Sequence, residues 1–331
     1  MEEEKPVKRK RDDSEMQLVT PLKTLQNSLP RYLLQLEYNG SNFSGYQRQT
    51  GAKTVQGYVE AALKKFLGSD TLISISSRTD AGVHAICNTA HVDICRTSKR
   101  KPGETLEPHP PETVRKALNH FLKMSSPDVS IIGVKRVSPF FHARHNAIGR
   151  TYYYRIQTGE SQQPSIFEQG RVWHVPAQLD IDKMQAATRH IIGRQDFSTF
   201  RAAGCQSKSP IRTLEMLEIR GCPTWSAFPS SEASPTVKSF VIVTKARSYL
   251  YHQVRLMVGL LKAVGLGEIK VDEIPGLIEK RTPHVLPPMA PASGLFLGDV
   301  HYGDECMAMD YVYHHHLRKE CAIGENGDSD L

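Results

Sequence analysis

The sequence lacks long apolar runs, and this limits the class of protein it can encode. None of its 331 residues belongs to an uninterrupted stretch of 18 apolar residues, so no segment has the composition of a membrane-spanning helix. With 39% hydrophobic and 23% charged residues, the composition is not that of a disordered, collagenous or coiled-coil protein. We therefore expect a soluble globular protein that makes no contact with a membrane.

Cysteine is scarce and irregularly spaced. No two cysteines form a Cys-x-x-Cys pair, so we expect neither a zinc site nor a disulfide framework, and we expect a reducing compartment. Three adjacent histidines at residues 314–316 lie in an unpatterned tail, so no metal is assigned to them. The six cysteines are Cys87, Cys95, Cys205, Cys222, Cys306 and Cys321.

The N-terminal residues do not resemble a common targeting signal. Acidic residues at 2–4 precede a basic run at 8–11, whereas a secretory signal needs an apolar run and a mitochondrial presequence is poor in acid. The basic run is either a nuclear address or a charged block in a disordered tail. We expect an intracellular protein and leave nucleus, cytoplasm and mitochondrion open.

Positive charge modestly exceeds negative charge. Lysine and arginine number 42 against 35 aspartate and glutamate residues, which gives a formal net charge of +7. This surplus is compatible with a polyanionic partner such as a nucleic acid, although many proteins that never bind nucleic acid share it.

Hydrophobic patterning divides the chain into four segments. We predict a disordered charged tail at residues 1–29, an N-terminal catalytic α+β half at 30–148, a C-terminal α+β half at 149–303 and a flexible tail at 304–331. Strand patterns outnumber the helices that parallel crossovers would need, which favours antiparallel pairing. The predicted fold class is α+β, with two similar halves of mainly antiparallel sheet, helices packed on one face and a cleft between the halves.

Period-2 alternation predicts the strands, and apolar residues spaced along one helix face predict the helices. The first helix has a plausible N-cap in Thr54. The predicted strands lie at residues 31–38, 72–76, 90–94, 129–137, 151–156, 172–175, 212–219, 237–245 and 294–300, and the predicted helices at 54–67, 114–121, 180–192, 251–264 and 271–280.

The most informative segment is the loop at residues 76–85, between two predicted strands. It places Asp80 near Arg78 and His84, where Gly82 allows the chain to turn. A carboxylate held between two strands suits catalysis. From the residue pattern alone, Asp80 can equally cap a turn while Arg78 lies on the surface.

The same loop resembles a known active-site motif. Residues 78–85 read Arg-Thr-Asp-Ala-Gly-Val-His-Ala, which matches the signature of the TruA-type tRNA pseudouridine synthases without a gap. Within that family, the sequences at residues 76–80 and 141–145 are most similar to those of the eukaryotic pseudouridine synthase-like 1 branch. In the family's opening motif, Asn39 stands where the family usually has Asp. Further motifs resemble those of the family, in its order, at residues 38–57, 141–144, 150–154, 196–201, 251–259 and 292–297.

This resemblance implies an isomerisation that needs neither a cofactor nor a metal. A uracil is detached from its ribose at N1, turned and rejoined through C5, on a nucleotide extruded from its stack. Asp80 matches the family's catalytic carboxylate, and Arg255 its basic partner, which we expect to lower the pKa of Asp80. Tyr152 matches the aromatic residue that stacks on the target base.

Two other residues have roles that the residue pattern leaves open. By resemblance, Arg78 would reach RNA phosphate or the space left by the flipped base, and Leu295 would wall the pocket. By pattern alone, Arg78 is equally a surface cation and Leu295 an ordinary strand residue.

The resemblance also implies the substrate and the assembly. We expect a synthase acting on folded tRNA, in the anticodon stem-loop region at positions 38 to 40 as in the family, and working as a homodimer. The alternatives are a non-catalytic RNA-binding protein on the same scaffold and a synthase acting on mRNA. A glycosidase-like hydrolase is disfavoured because no second carboxylate has a motif context, and such enzymes usually need two.

Overall fold

A computed structural model describes residues 29–159, 166–223 and 238–309. Within these residues the chain forms one mixed sheet of ten strands. The strands are β1 (Arg31–Tyr38), β2 (Ser74–Ile75), β3 (His84–Asp93), β4 (Val129–Val137), β5 (Ala147–Thr158), β6 (Trp173–Val175), β7 (Gly193–Asp196), β8 (Ile211–Gly221), β9 (Lys238–Ala246) and β10 (Leu295–Tyr302). The helices are α1 (Val55–Leu67), α2 (Pro111–Ser125), α3 (Ile181–Thr188), α4 (Gln253–Gly265), α5 (Ile274–Glu279) and α6 (Asp304–Met307).

Strand β10 joins the early and late strands of the chain. The main path of the sheet runs β4-β1-β3-β10-β5-β9-β8-β7, while β2 pairs with β3 and β6 with β5. Most neighbours are antiparallel, but β10 is parallel to β3 and antiparallel to β5. The strand that comes last in the chain therefore lies in the middle of the sheet, and this confirms the α+β class.

The helices pack on one side of the sheet, over two hydrophobic clusters that each include a residue of β10. One cluster contains the apolar faces of α1 and α2, and the other those of α3 and α4. Leu295 and Leu297, two residues apart and so on one side of β10, belong to different clusters. The helices of both clusters therefore cover the same side of the sheet.

Helix α1 has the ends that its sequence predicts. The Thr54 side chain accepts a hydrogen bond from the Gly57 amide, and Gly68 ends the helix in a left-handed conformation with φ of 82°. These contacts satisfy backbone groups that an isolated helix end would leave unpaired.

Several predicted boundaries are wrong for local reasons. The predicted helix at 180–192 ends as α3 at Thr188, and the following turn leads into β7, a short strand that the pattern did not indicate. The predicted helix at 271–280 is a 3-10 turn followed by α5, with a proline in the first turn of α5. Strand β3 begins at His84, six residues before the predicted strand, because its first half is paired and buried without apolar alternation.

The predicted tails lie mostly outside the described residues. Of the segment at 304–331, residues 304–309 are described, and they include the short helix α6, whose Cys306 is buried. The segment at 221–236, which is rich in proline, serine and threonine, is described only as far as residue 223. In the described part of the chain, the structure contains no helix of the length and apolarity that crossing a bilayer requires.

Gly259 in α4 allows a close contact with the chain that precedes β10. A Cβ atom at this position would lie 2.5 Å from the carbonyl oxygen of Pro288. The backbone there has to move if the position carries a side chain. This contact explains why a residue of low helix propensity occurs inside a buried helix.

We expect Gly259→Ala to lower the free energy of unfolding by about 1–3 kcal/mol. The clash of the added methyl group with the Pro288 backbone should cost more than the better helix propensity of alanine contributes. Gly276→Ala in α5 is the matched control, since a Cβ there meets nothing within 4 Å. The control is expected to be neutral or stabilising by up to about 1 kcal/mol. Urea unfolding of the two variants measures the difference, and equal stability of both would contradict the contact.

Candidate active site

The loop between β2 and β3 is held rigidly by buried polar contacts. The Tyr38 hydroxyl and Thr79 Oγ1 are 2.8 Å apart and both are buried. The Tyr46 amide donates to the Thr79 carbonyl at 3.1 Å, and the Val83 amide donates to the Asp80 carbonyl at 3.2 Å. Asp80 thus lies at a turn whose backbone is fixed on both sides.

Asn88 of β3 fixes the start of this loop. Its side chain is fully buried and donates to the carbonyl of Ser77 at 3.0 Å and to the Tyr38 hydroxyl at 3.2 Å. Its amide oxygen accepts the Ser76 hydroxyl at 2.9 Å. Because both the oxygen and the nitrogen of the side-chain amide have partners, the buried Asn88 has no unsatisfied polar atom.

Arg150 of β5 ties the loop to two distant segments. Its guanidinium donates to Ser77 Oγ and to the Ser76 carbonyl, each at 3.2 Å. It also donates to the carbonyls of Arg144 at 3.2 Å and Arg247 at 2.6 Å. These acceptors are all neutral, so the side chain, 9% exposed, orders the site while keeping its positive charge.

Asp80 faces two basic side chains of α4 and its N-cap. His252 Nε2 lies 3.3 Å from Asp80 Oδ2, and Arg255 Nη1 lies 3.9 Å from the same oxygen. Arg255 is oriented by donating from Nε to the Ala290 carbonyl at 2.7 Å. The structure therefore brings Asp80 and Arg255 together, as predicted, and adds His252.

The electrostatics of Asp80 differ from the prediction. Burial raises the pKa of Asp80 above its ordinary value, and His252 and then Arg255 act in the opposite direction. Arg255 does favour the ionised form, as expected, but desolvation outweighs it. Burial likewise lowers the pKa of His252, against the attraction of Asp80.

Tyr152 lines the cleft, whereas its neighbour Tyr154 belongs to the core. The rings of Tyr152 and Tyr249 meet edge to face, with centroids 5.1 Å apart. Burial raises the pKa of Tyr152 to about 12, so its hydroxyl stays protonated at neutral pH. Tyr154 is fully buried and donates from its hydroxyl to the Pro291 carbonyl at 2.8 Å.

The structure also locates the two residues whose roles the pattern left open. Arg78 is exposed at the cleft and donates to Gln206 Oε1 at 3.3 Å. Leu295 is 5% exposed and contributes to the cleft wall. Both positions are compatible with the expected roles.

These side chains line one large cleft of about 1450 Å³. This volume exceeds the typical range of small-molecule pockets, about 300–1,000 Å³. Among the described residues that line it, Asp80 is the one acidic side chain. The arginines that line it are Arg78, Arg144, Arg150, Arg212, Arg247 and Arg255.

Sequence reasoning missed three residues of this site. His252 lies three positions before Arg255, a spacing that places two residues of a helical segment on one side. That signal was present within the motif at 251–259. By contrast, nothing in the local sequence connects Asn88 or Tyr249 with the loop of Asp80, because their contacts depend on strand pairing.

Within the ranges that the structure describes, no group of histidine, cysteine or acidic side chains could hold a metal ion. These residues supply a carboxylate, Asp80, flanked by the basic side chains of His252 and Arg255. A cleft lined by six arginines around a single, partly buried carboxylate suits a polyanionic ligand. Fold and site thus define the class: an α+β protein with one acidic group in a cleft for a polyanion.

Comparisons with known proteins identify the family. The family model described as tRNA pseudouridine synthase matches residues 36–144 and 187–303, more than half of the chain. The chain is similar to tRNA pseudouridine synthase A of Methylorubrum populi, with 39% identity over 84% of this chain and 100% of that protein. It is also similar to tRNA pseudouridine synthase A of Methylobacterium radiotolerans, with 40% identity over 83% of this chain and 98% of that protein.

The chain belongs to the tRNA pseudouridine synthase family, and its function is that of an isomerase converting uridine in tRNA to pseudouridine. Among solved structures, a dye-decolorizing protein from V. cholerae gives a TM-score of 0.19 and 8% identity over 82% of this chain and 92% of that chain. So low a score carries no information about the fold.

We expect Arg150→Met to lower the free energy of unfolding by about 1–3 kcal/mol, because it leaves buried acceptors of the loop without a donor. Arg144→Met is the matched control in the same cleft, where the side chain is exposed. It should change stability by no more than about 0.5 kcal/mol. Urea unfolding tests this, and two equal effects would show that Arg150 does not hold the loop.

Proposed function

We propose that Asp80 is the catalytic carboxylate of the isomerisation and that Tyr152 stacks on the extruded uracil. The observation that carries this proposal is the position of Asp80, a single acid fixed in an arginine-lined cleft beside an aromatic ring. Stacking of a base on an aromatic side chain contributes about 1–3 kcal/mol. Such a contact would hold the detached uracil while it turns.

The reaction balances without any redox partner. The N1–C1′ bond breaks, the C5–C1′ bond forms, C5 loses a proton and N1 gains one. Asp80 either attacks the ribose at C1′ or removes a ribose proton to give a glycal-like intermediate. Both routes begin with an ionised carboxylate, so activity should rise with pH through the raised pKa of Asp80.

Arg255, Arg78 and Leu295 complete the proposed substrate site. The guanidinium of Arg255 is held in place by the Ala290 carbonyl. Its positive charge, 3.9 Å from Asp80 Oδ2, orients the carboxylate and favours its ionised form. Arg78 is exposed and able to reach RNA phosphate or the space left by the extruded base. Leu295 presents an apolar wall to the uracil edge.

We further propose that the substrate uridine lies in the anticodon stem-loop region of tRNA, at positions 38 to 40. The arginine lining supports a folded RNA stem, since phosphate contacts supply most sequence-independent affinity. The sequences at residues 76–80 and 141–145 support placement in the eukaryotic branch of the family, although the relatives described above are bacterial. For a member of that branch, mRNA is the second candidate substrate.

We propose that residues 30–148 and 149–303 form two similar halves with the cleft between them. Support comes from the two hydrophobic clusters and from the cleft lining, which draws side chains from both segments. The basic run at 8–11 leaves a nuclear location as one proposal for the compartment.

We also propose that two copies of the chain pair as a homodimer. Exposed isoleucines on the strands, among them Ile86, Ile132 and Ile148, offer apolar surface for such a contact. We expect light scattering after gel filtration to give about twice the chain mass of 37.1 kDa. A single species of the chain mass at micromolar concentration would contradict pairing.

The decisive experiment maps pseudouridine by carbodiimide labelling and primer extension on total tRNA incubated with the protein. We expect new stops with wild type and none with Asp80→Asn, because an amide is neither a base nor a nucleophile of use here. Asp70→Asn is the control, an exposed aspartate paired with Lys64 on the surface, and it should retain full activity.

The stability of Asp80→Asn separates chemistry from folding. Because its folded pKa is raised, ionised Asp80 destabilises the folded state at neutral pH, and this cost disappears as pH falls below the unfolded pKa of about 3.9. We therefore expect the variant to melt at or above the wild-type temperature at pH 7. Persistent pseudouridine formation by Asp80→Asn would contradict the proposed role. If neither protein modified tRNA while both bound it, the chain would be an RNA-binding protein or would act on an RNA outside the pool.

A further inference from the structure

His252 occupies a strained position against Asp80. It is the N-cap of α4 and has a φ of 61°, one of two non-glycine residues with positive φ in the described part of the chain. A left-handed conformation is strained for a residue that carries a side chain. Such strain persists only where the surroundings hold it, and here it directs Nε2 to within 3.3 Å of Asp80 Oδ2.

The neighbours of His252 fix its ring. The Tyr251 ring stacks on the imidazole, with centroids 3.7 Å apart and planes 28° from parallel. Tyr251 is itself anchored through its backbone, which donates to Cys205 Sγ at 3.5 Å and accepts from the Ala202 amide at 3.2 Å. On the other side, Gln253 Oε1 accepts the Leu250 amide at 2.8 Å. The imidazole is 16% exposed, so it is largely shielded from water.

We propose that His252 is a positioning residue for the isomerisation: its imidazole holds the Asp80 carboxylate ionised and turned towards the substrate. The inference rests on the proposed role of Asp80. His252 acts through that carboxylate, and no contact with RNA is assigned to it.

His252 and Arg255 act on Asp80 in different ways. Arg255 is permanently charged, lies farther from the carboxylate and is committed through Nε to the Ala290 carbonyl. His252 is nearer, and burial lowers its pKa, which favours the uncharged imidazole. The tautomer with its proton on Nε2 then directs an N–H towards Asp80 Oδ2 without adding a second full charge.

Four titratable or charged groups lie near this pair. Arg255 of α4 lowers the pKa of both His252 and Asp80. The hydroxyl of Tyr152 in β5 senses the charge of Asp80, but its pKa of about 12 keeps it neutral in the working range. The Cys205 thiol contacts the Tyr251 backbone, and Arg78 is exposed at the end of the same loop as Asp80.

The test is the pH profile of kcat/KM for tRNA in His252→Asn. Asparagine tolerates the left-handed backbone but is too short to place a donor where Nε2 lies. Losing the donor should raise the pKa of Asp80, so we expect the acid limb of the profile to move up by about one pH unit. Well below the limb this is about a tenfold loss, while the rate on the alkaline plateau recovers to within a few-fold and KM is unchanged.

Three further variants make the result specific. His252→Gln carries an amide N–H near the position of Nε2, so it should restore most of the acid-limb position. His252→Gly removes the donor at a positive φ that glycine adopts without strain, so it serves if His252→Asn does not fold. His120→Asn, an exposed histidine of α2, should leave the profile unchanged.

An unshifted acid limb in the variant that lacks the donor overturns the inference, even if its rate falls. An equal loss at every pH with a lowered melting temperature also overturns it, since that is the signature of a structural role. If Asp80→Asn remains active, the proposed role of Asp80 fails instead. If Asp80→Asn is inactive and the profile of the donor-deleting variant is unshifted, only this inference fails.

Discussion

The site depends on the pairing of β10 with both β3 and β5. Parallel to β3 and antiparallel to β5, this strand holds the loop of Asp80 next to the elements that carry Tyr152 and Arg255. Leu295 and Leu297 of the same strand belong to the two hydrophobic clusters, so burial of apolar surface stabilises the same pairing. Without this strand in the middle of the sheet, His252 and Arg255 would not lie beside Asp80.

Within that frame, polar contacts determine how precisely the carboxylate is held. Asn88 and Arg150 bind the loop through neutral acceptors, so these contacts bring no second carboxylate that would compete with Asp80 for the basic side chains. Burial then makes Asp80 harder to ionise, and the bases of α4 and its N-cap offset part of this cost. A carboxylate shielded from water but flanked by fixed donors is the arrangement in which electrostatic interactions with a substrate are strongest.

Elements that depend on a few neighbouring residues follow from the local sequence. The strand at 31–38 and the helix from Thr54 follow from periodicity and capping, because each depends on contacts within a few residues or on one buried face. The boundaries of α3, α5 and β3 were wrong because they depend on glycine and proline positions and on pairing partners. Matching of the loop at 78–85 to a family motif located Asp80, but not what surrounds it.

The chain's local patterns therefore determine the helices, most strands and the α+β class, since these depend on residue type and spacing, and the resemblance of residues 78–85 to a family motif indicated the candidate carboxylate. Tertiary structure decided the rest: the convergence of six arginines, the contact of His252 with Asp80 and the direction of the Asp80 pKa. These properties arise between segments far apart in the chain. Desolvation and charge proximity are functions of distance in space, and strand register sets that distance here.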